Sequence, residues 1–279
     1  MKKITRRSFL AAAGLTAAAL ALTACGGSSS STASSTASSA AASSEAASSS
    51  AAAELTTVEA GKLTMATNAA FPPYEMTTDT GAFEGIDVDT AQAIAEKLGL
   101  ELQIDDMDFD AALLSVQQGK ADIVMAGVTV TDERKAVMDF SDSYATGIQS
   151  IIVPEGSDIA TPDDLAGKTI GTQRGTTGYI YCSDDFGDEN VVAYDDGLTA
   201  VQALNNGQVD AVVIDNAPAK EFVAANPGLV ILDTSYAEED YAIGMAKGSA
   251  LEDAINAALE ELKADGTLQS IVDKYITAE

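Results

Sequence analysis

QQGKADIVMAG, residues 117–127, is matched position by position by NNGQVDAVVID, residues 205–215. Each copy has an amide pair, a glycine, a polar and an apolar residue, an aspartate and then an apolar run. An amphipathic pattern, with apolar residues spaced at three and four, precedes both copies and predicts a helix. Gly119 and Gly207 stand where the end of a helix favours a left-handed residue. The chain therefore repeats a unit of helix, glycine cap and buried strand.

A second pair of similar stretches precedes these units, GKLTMATN at 61–68 and GKTIGTQR at 167–174. Each has a glycine and a lysine, a short β-prone run and a polar cluster where the strand is predicted to end. In both halves the predicted strands alternate with helices, so the strands are expected to be parallel, with crossovers on the sheet faces. The sequence thus predicts two α/β lobes.

Open parallel sheets bind ligands beyond the carboxyl ends of their strands. Four strands are predicted to end after Thr67, Ala126, Thr172 and Ile214. The segments that follow them are Asn68 with AAFPPY, Gly127 with VTVTDER, QRGTTG from Gln173, and Asp215. If the two lobes face each other, these four segments line one cleft.

The front of the chain predicts export. Residues 1–24 are basic and then apolar and small, as in a signal peptide, with an apolar stretch too short for a membrane span. Leu22 to Cys25, LTAC, resembles the lipobox of bacterial lipoproteins, in which the cysteine is acylated and becomes the new N-terminus. TRRSFL also resembles a twin-arginine motif, which leaves two export routes open. Residues 25–54, rich in Ser and Ala, predict a disordered tether.

Composition excludes several classes of function. The formal charge of −28 excludes nucleic acid as a partner, because few basic residues are present to neutralise phosphates. The chain has no histidine and no calcium-loop motif, so we expect no metal, no cofactor and no His-dependent triad. If Cys25 is acylated, Cys182 is a lone thiol. We expect it to be a small buried residue rather than a reactive one, since no basic neighbour would lower its pKa.

From 60 to 279 the residues resemble the extracytoplasmic solute-binding proteins of ABC importers for polar amino acids. That family includes glutamine-, histidine-, lysine–arginine- and cystine-binding proteins. The order and spacing of seven stretches carry the resemblance: ATNAAFPPYEM, FEGIDVDTAQAIAEKLG, GKADIVMAGVTVTDERKAVMDFSDSY, LAGKTIGTQRGTTG, GQVDAVVIDNAP, YAIGMAKGS and LKADGTLQSIVDKY.

The resemblance implies a two-lobed α/β fold of the type II periplasmic-binding-protein kind, with two parallel-rich sheets joined by two hinge strands. Lobe 1 would comprise 55–148 plus 239–279, and lobe 2 would comprise 149–238. The hinges would lie near 146–150 and 237–241, and the last apolar helical pattern would return to lobe 1.

A free amino acid is a zwitterion, so its pocket must satisfy a carboxylate and an ammonium group after both lose water. For the carboxylate, Arg134 offers a planar fork of donors, Gly127 lets backbone N–H groups come close, and Thr129 adds neutral donors. The resemblance places the family's α-carboxylate contacts at these three positions, beside Ala126. Thr131 alternates away from Thr129 and is expected to cap the turn.

Two charged residues of this site have alternatives. Arg134 could instead form a surface ion pair with Asp132 or Glu133. The resemblance makes Asp215, at a strand end in lobe 2, the partner of the ligand's ammonium group. The alternative for Asp215 is a helix N-cap before Pro218.

The resemblance also places a turn of lobe 2 against the ligand's carboxylate. QRGTTG matches the family's carboxylate-binding turn and brings Gln173, Thr176 and Thr177 into the site. The direction of Arg174, into the cleft or out to solvent, stays open.

The side-chain end of the pocket is implied by aromatic residues and one amide. Phe71 and Phe109 match the family's aromatic pair that sandwiches the ligand's side chain, although Phe109 also begins a helix and suits a core. Tyr74, after a Pro-Pro turn, is a further candidate. Asn68 stands where several relatives carry aspartate, and an uncharged amide favours a polar neutral side chain over lysine or arginine.

These features predict a monomeric, lipid-anchored binding component of an ABC importer at the outer face of the cytoplasmic membrane. It would close on a free amino acid, not identified by the sequence, and deliver it to a permease and its ATPase. A ligand sensor for a membrane signalling receptor is an open alternative. A dehydratase of the prephenate or arogenate type, with Asp215 or Glu75 as acid or base, is the enzyme alternative; we expect no enzymatic activity.

Overall fold

The computed structural model describes residues 55–276 of the chain. The predicted signal peptide, the predicted lipidation site Cys25 and the predicted tether lie outside the described residues. Within 55–276, no helix combines the length and the apolar character that crossing a membrane requires.

Fourteen strands and eight α-helices make up this described part. The strands are β1 (Lys62–Thr67), β2 (Ala70–Phe71), β3 (Glu75–Thr77), β4 (Phe83–Glu84), β5 (Glu101–Asp106), β6 (Ile123–Val124), β7 (Met138–Phe140), β8 (Ala145–Pro154), β9 (Ile170–Gln173), β10 (Val191–Tyr194), β11 (Ala211–Asp215), β12 (Leu229–Ile231), β13 (Ala237–Tyr241) and β14 (Gly244–Ala246). The helices are α1 (Ile86–Leu98), α2 (Phe109–Gln117), α3 (Asp132–Val137), α4 (Thr177–Phe186), α5 (Gly197–Asn205), α6 (Asn216–Ala225), α7 (Glu252–Ala264) and α8 (Thr267–Tyr275).

The first sheet has the strand order β5-β1-β6-β14-β7. β1 pairs in parallel with β5 and β6, as the alternation of strands and helices predicts. β14 lies antiparallel between β6 and β7, because it follows β13 without a helical crossover. Successive residues of β1 face opposite sides, so Leu63 and Met65 join a core with residues of α1 and α7, and Ala66 joins one with α2.

The second sheet has the order β10-β9-β11-β8-β12, and β13 also pairs with β8. β9 is parallel to β10 and β11, whereas β8 is antiparallel to each of its partners. Each sheet therefore has a parallel part, where helices connect the strands, and an antiparallel part formed by strands that cross between the sheets. The two-lobed α/β fold is confirmed, but the sheets are mixed rather than parallel-rich, because the strands that adjoin the two crossings pair antiparallel.

The two segments predicted as hinges lie side by side. β13 runs antiparallel to the first half of β8, with Ala237 opposite Gln149 and Tyr241 opposite Ala145. The chain leaves the first sheet after β7 to enter β8, and it returns from β13 to β14. These paired strands therefore carry both passages of the chain between the sheets.

Both helix, glycine and strand units form as predicted. α2 and α5 each end two residues before a glycine, and Gly119 and Gly207 have φ values of 65° and 67°. This left-handed conformation is easy for glycine, which has no Cβ, and it turns the chain out of the helix towards the next strand. The strands differ in length, because β6 has two residues and β11 has five.

The aspartate shared by both units fastens its strand to a neighbour. A side-chain oxygen of Asp122 accepts a hydrogen bond from the N–H of Thr64 at 2.8 Å. Asp210 accepts from the N–H of Thr169 at the same distance. Thr64 lies in β1, and Thr169 directly precedes β9. The aspartate therefore links the start of β6 to β1 in the first sheet and the start of β11 to β9 in the second sheet.

The last two helices pack on the first sheet's side of the molecule, as predicted. The buried positions of α7 are Ile255, Ala258, Leu259 and Leu262, the apolar face of an amphipathic helix. α7 packs against α1, where Lys97 Nζ lies 3.1 Å from a carboxylate oxygen of Glu261.

Candidate functional site

A narrow cleft lies between the two sheets, and the centre of a water-sized sphere has only about 20 Å³ of free space within it. Eleven of the twelve predicted ligand-binding residues line it: Asn68, Phe71, Phe109, Ala126, Gly127, Thr129, Arg134, Gln173, Thr176, Thr177 and Asp215. Four further residues complete the lining: Glu75, Gln149, Ile214 and Tyr241. The parallel strand ends therefore meet at one place, although ligand contact by these residues stays a prediction.

Arg134 is a buried cation in the wall of the cleft. The hydroxyl of Thr131 accepts from the N–H of Arg134 at 3.2 Å and caps α3, as predicted, which fixes the start of this short helix. The guanidinium donates to the carbonyl oxygens of Thr129 at 2.8 Å and Gly175 at 3.1 Å and lies 5.4 Å from the ring centre of Phe109. Burial lowers the pKa of Arg134, and the negative charge of Glu239 opposes that shift.

The alternative role for Arg134 is wrong. Its side chain is 8% exposed and makes no ion pair with Asp132, Glu133 or any other acid within the described part of the chain. A guanidinium has five N–H donors, and two of them are used by the carbonyls above. The remaining donors are free for an anion in the cleft.

Gly127 allows the ring of Phe71 to lie close to the backbone, and its own N–H group binds another residue of the protein. Its φ is 56°, and a Cβ there would lie 2.9 Å from the ring of Phe71. Its N–H donates to a carboxylate oxygen of Asp87 at 3.0 Å. This N–H is therefore already used, and the carboxylate contact predicted at Gly127 stays a prediction; the aromatic wall and the backbone conformation both require a glycine here.

Asp215 ends β11 and begins α6, so its carboxylate serves the backbone on both sides. One oxygen accepts from the N–H of Ala217 at 3.0 Å, which makes Asp215 the N-cap, as the alternative proposed. The other accepts from the N–H of Ile148 at 2.8 Å and the hydroxyl of Tyr241 at 2.9 Å. Burial raises the pKa of Asp215 to about 6 despite these bonds. Capping and exposure to the cleft coexist, because Asp215 also lines it.

Direct hydrogen bonds join the two sides across the cleft. Asn68 accepts from the side-chain N–H of Gln173 at 2.8 Å and donates to the carbonyl of Met107 at 3.0 Å. The hydroxyls of Thr129 and Thr177 lie 3.4 Å apart. Together with the bond from Arg134 to Gly175, these contacts hold the cleft narrow.

The QRGTTG turn places its residues differently. Thr176 caps α4, since its hydroxyl accepts from the N–H of Tyr179 at 3.3 Å and donates to the carbonyl of Gln173 at 2.8 Å. Arg174, whose direction the sequence left open, points away from the cleft. Its side chain is 52% exposed and lies 3.5 Å from a carboxylate oxygen of Asp195.

Three aromatic rings form a stack that ends at the cleft. Phe71 stacks on Tyr74 with ring centres 5.8 Å apart, and Tyr74 meets the edge of Tyr241 at 5.4 Å. Tyr74 therefore lies behind Phe71 and does not line the cleft, unlike the other predicted residues. Phe109 belongs to a core cluster and also lines the cleft, while its contact with a ligand's side chain stays a prediction.

The sequence did not indicate Gln149, Ile214 or Tyr241 as lining residues, and it indicated Glu75 only as the acid or base of the enzyme alternative. Glu75 begins β3 and pairs with Phe71, while Gln149 and Tyr241 lie on β8 and β13. The amide of Gln149 donates to Glu239 at 3.0 Å, and the same oxygen of Glu239 accepts from Thr129. Glu75, Gln149 and Tyr241 do not lie at the carboxyl end of a parallel strand, so the strand-end rule does not predict them. The only sequence signal is that Glu75 directly follows FPPY.

Glu75 and Asp87 are fully buried beside the cleft. No N–H or hydroxyl group among residues 55–276 donates to either oxygen of Glu75. Burial and the nearby charge of Asp87 raise the pKa of Glu75 well above 4.5. Burial also raises the pKa of Asp87 to about 6, against the opposing hydrogen bond from the N–H of Gly127.

Metal binding and thiol chemistry were the two other possibilities considered from the sequence. Within 55–276, no three His, Cys, Asp or Glu side chains are grouped to hold a metal ion. Cys182 is free and buried, as predicted, and burial raises its pKa to about 12, so the thiol is unreactive at neutral pH.

Comparisons with known proteins agree with this architecture. The model of the bacterial extracellular solute-binding proteins, family 3, matches residues 63–278. The L-cystine-binding protein TcyJ of Escherichia coli (strain K12) is 33% identical over 226 residues, which are 79% of this chain and 85% of TcyJ. These matches concern binding proteins, so the chain is a binding protein rather than an enzyme, and the dehydratase alternative is not retained.

Two solved structures are similar in fold and sequence. The arginine-, lysine-, histidine-binding protein ArtJ from Geobacillus stearothermophilus is 35% identical with a TM-score of 0.75, covering 78% of this chain and 96% of that chain. An ancestral arginine-binding protein bound to glutamine is 41% identical with a TM-score of 0.74, covering 78% and 99%.

Proposed function

The chain belongs to the bacterial extracellular solute-binding proteins, family 3, and from this membership we propose that it is the lipid-anchored binding component of an ABC importer for a polar, uncharged amino acid. The observation that carries the proposal is a pair of buried, opposite charges in one cleft, Arg134 and Asp215. Neither makes an ion pair of 4.0 Å or less with another described residue. A zwitterion supplies the missing partner to both.

The ligand's carboxylate would bind the free donors of Arg134, and its ammonium group would bind Asp215. Because both groups lie in a buried site, each ionic hydrogen bond is stronger there than in water. Phe71 and Phe109 would enclose the ligand's side chain and exclude water. The donors and acceptors are fixed by caps and strand pairing before the ligand arrives, which reduces the entropy lost on binding.

An uncharged side chain suits the rest of the lining. The amides of Asn68, Gln149 and Gln173 are neutral, and burial raises the pKa of Glu75 well above 4.5, which favours its uncharged form. A protonated carboxyl and an amide each donate and accept hydrogen bonds, as a polar neutral side chain requires.

Capture would occur by closure of lobe 1 (55–148 plus 239–279) on lobe 2 (149–238) about the paired strands β8 and β13. A ligand held by both lobes binds the closed form more tightly, so it shifts the population towards that form. The direct bonds across the cleft, such as Asn68 to Gln173, stabilise the same form. A permease and its ATPase would then distinguish the loaded protein from the empty one.

Anchoring would place the binding protein next to its transporter. We propose that residues 1–24 are removed, that Cys25 is acylated, and that 25–54 tether a monomeric binding domain to the outer face of the cytoplasmic membrane. A tether raises the local concentration of the domain near the permease without any new contact.

Titration calorimetry of the purified full chain against the standard amino acids and cystine tests the function. We expect a polar neutral amino acid to bind at pH 7 more tightly than arginine, and Asn68→Asp to shift the preference towards cationic ligands. If no amino acid produces a heat of binding, the proposal of amino acid binding is refuted. If arginine binds more tightly than every neutral amino acid, the proposed neutral specificity is refuted. Neighbouring permease and ATPase genes would favour import over the receptor-sensing alternative.

A further inference from the structure

Glu75 is the residue of the cleft whose hydrogen-bonding capacity is least satisfied. Its side chain is 0% exposed and lines the cleft, and neither of its oxygens has a partner among the described residues. A buried carboxyl without partners costs free energy, and more so if it is ionised. A proton shared with the neighbouring Asp87 carboxyl and a hydrogen-bonding group of the ligand would supply the partners that it lacks.

Asp87 lies behind Glu75 and can accept that proton. One oxygen of Asp87 accepts from the N–H of Gly127 at 3.0 Å, and the other has no partner among residues 55–276. The two carboxyls are close enough for Glu75 to donate to Asp87, which further favours the protonated form of Glu75 and the ionised form of Asp87. Two ionised carboxylates in so buried a place repel each other, so the pair retains one proton.

The titratable groups around the pair are acids and phenols. Asp106, at the end of β5, adds a negative charge that favours the proton on Glu75. The hydroxyl of Tyr144, just before β8, faces Asp87, and Tyr74 lies between this cluster and Asp215. None of these groups supplies a positive charge. A cation that reaches Glu75 would therefore replace the proton as its counter-charge.

We propose that the Glu75–Asp87 pair reads the side chain of the ligand by proton exchange. A polar neutral side chain binds with the proton kept on the pair, hydrogen-bonded to the Glu75 carboxyl. A cationic side chain binds to ionised Glu75 and expels the proton to solvent. This inference rests on the proposed function and adds a specificity determinant to it.

The charge balance gives two distinct signatures. A cation entering the cleft releases about one proton, so the affinity for a cationic ligand should rise by up to about tenfold per pH unit while the pair is protonated. A neutral ligand releases none from the pair, so its affinity should be nearly independent of pH around neutrality. Selectivity between the two classes is then set by pH.

Proton release measured by calorimetry tests this in the purified full chain. L-arginine and L-glutamine are titrated at pH 6.5, 7.5 and 8.5 in phosphate and in Tris, whose different ionisation heats report protons released on binding. We expect arginine to release more protons than glutamine and to gain affinity with pH. Equal proton release by both ligands, or no arginine binding at any of the three pH values, overturns the proposal.

Glu75→Gln separates the pair from the rest of the cleft. This near-isosteric change should abolish the extra proton release with arginine and weaken arginine by about tenfold or more, while glutamine changes by about threefold or less. Glu84→Gln, on the same small sheet (β2-β3-β4) but outside the cleft lining, is the matched control and should alter neither ligand.

A second variant keeps the result interpretable if Glu75→Gln does not fold. Asp87→Asn retains an oxygen for the N–H of Gly127 but removes the charge that holds the proton on Glu75, so the pH response to arginine should move to lower pH. An unchanged arginine-to-glutamine ratio in Glu75→Gln, or an unmoved pH response in Asp87→Asn, contradicts the proposal while amino acid binding stands. Absence of binding by every amino acid to the unaltered chain would instead refute the proposed function.

Discussion

The two helix, glycine and strand units, 109–127 and 197–215, share one scaffold and bring opposite charges to the cleft. Their helices, α2 and α5, both have nine residues, and the glycines that follow differ in φ by two degrees. Their aspartates accept from a threonine N–H at 2.8 Å in both cases. The units are thus interchangeable as architecture up to the start of their strands.

The difference begins where the strands end. β6 stops at Val124, and the chain runs on through Gly127 to α3, where Arg134 turns back to the cleft. β11 continues to Asp215 and passes directly into α6, so the carboxylate is both the last strand residue and the helix cap. The segment that follows each strand, rather than the unit itself, determines whether a carboxylate or an ammonium group can bind there.

Removal of the buried cation Arg134 should cause the largest loss of ligand affinity. Arg134→Ala should weaken ligand binding by on the order of 3 kcal/mol or more, because the ligand's carboxylate would be buried without a partner. Calorimetry with the tightest ligand of the amino acid panel measures the loss. The melting temperature without ligand must be followed as well, since the guanidinium also binds the carbonyls of Thr129 and Gly175.

Arg174→Ala is the matched control for that loss. Arg174 carries the same charge at the edge of the same cleft, but its side chain is 52% exposed and faces Asp195. A surface ion pair of this kind contributes about 0–1 kcal/mol, so its removal should leave affinity nearly unchanged. Similar losses in both variants would mean that general positive charge, rather than a buried fork of donors, attracts the ligand.

Removing the anion should have the next largest effect. Asp215→Asn keeps the shape and an oxygen for the N–H of Ala217, so it tests charge more than capping. Affinity should fall by about 10- to 100-fold, since an amide cannot neutralise an ammonium group. Asp196→Asn is the control, because Asp196 caps α5 by accepting from Thr199 at 2.7 Å but does not line the cleft. A loss of affinity in the control would assign the effect to helix capping.

The same anion should change how the stability of the ligand-free protein depends on pH. Burial raises the pKa of Asp215 from 3.8 to about 6, so the folded state holds this proton more tightly than the unfolded state. The free energy of unfolding should therefore fall as pH rises, by about 2 kcal/mol between pH 4.5 and pH 7.5 for this group. Urea unfolding of the unaltered chain and Asp215→Asn at both pH values measures the difference. Parallel pH profiles would contradict the buried, raised pKa.

Much of this architecture could be predicted, because it follows from local rules. The parallel strands can be located from the spacing of apolar residues, the positions of glycines and the alternation of strands with helices. Parallel strands in one sheet bring their carboxyl ends together. Those ends carry the charges, Arg134 after one and Asp215 at another. The four segments at these ends are predicted to line one cleft if the lobes face each other, and the resemblance to the family then assigns individual residues within them.

The rest depends on pairing between distant segments, which no local pattern contains. Tyr241 enters the cleft from β13, which pairs with β8 from much earlier in the chain, whereas Glu75 enters it through the local pairing of β3 with β2. The N–H of Gly127 is lost to Asp87, 40 residues away. Tyr74 is placed behind Phe71 by stacking, although both follow the same strand end. Hydrogen-bond partners, unlike strand ends, are set by tertiary structure.

The smallest effect tests whether the two units are equivalent as scaffold. Gly119→Ala and Gly207→Ala each place a Cβ at a left-handed position, with no atom within 4 Å of it in either case. Only the backbone conformation opposes the change, so each should lower the free energy of unfolding by about 1 kcal/mol without altering affinity. Because the sites lie in separate lobes, the double variant should show the sum. Urea unfolding that gave clearly unequal costs would mean that one unit is strained by its longer strand or its lobe, and that the difference between the units begins before their strand ends.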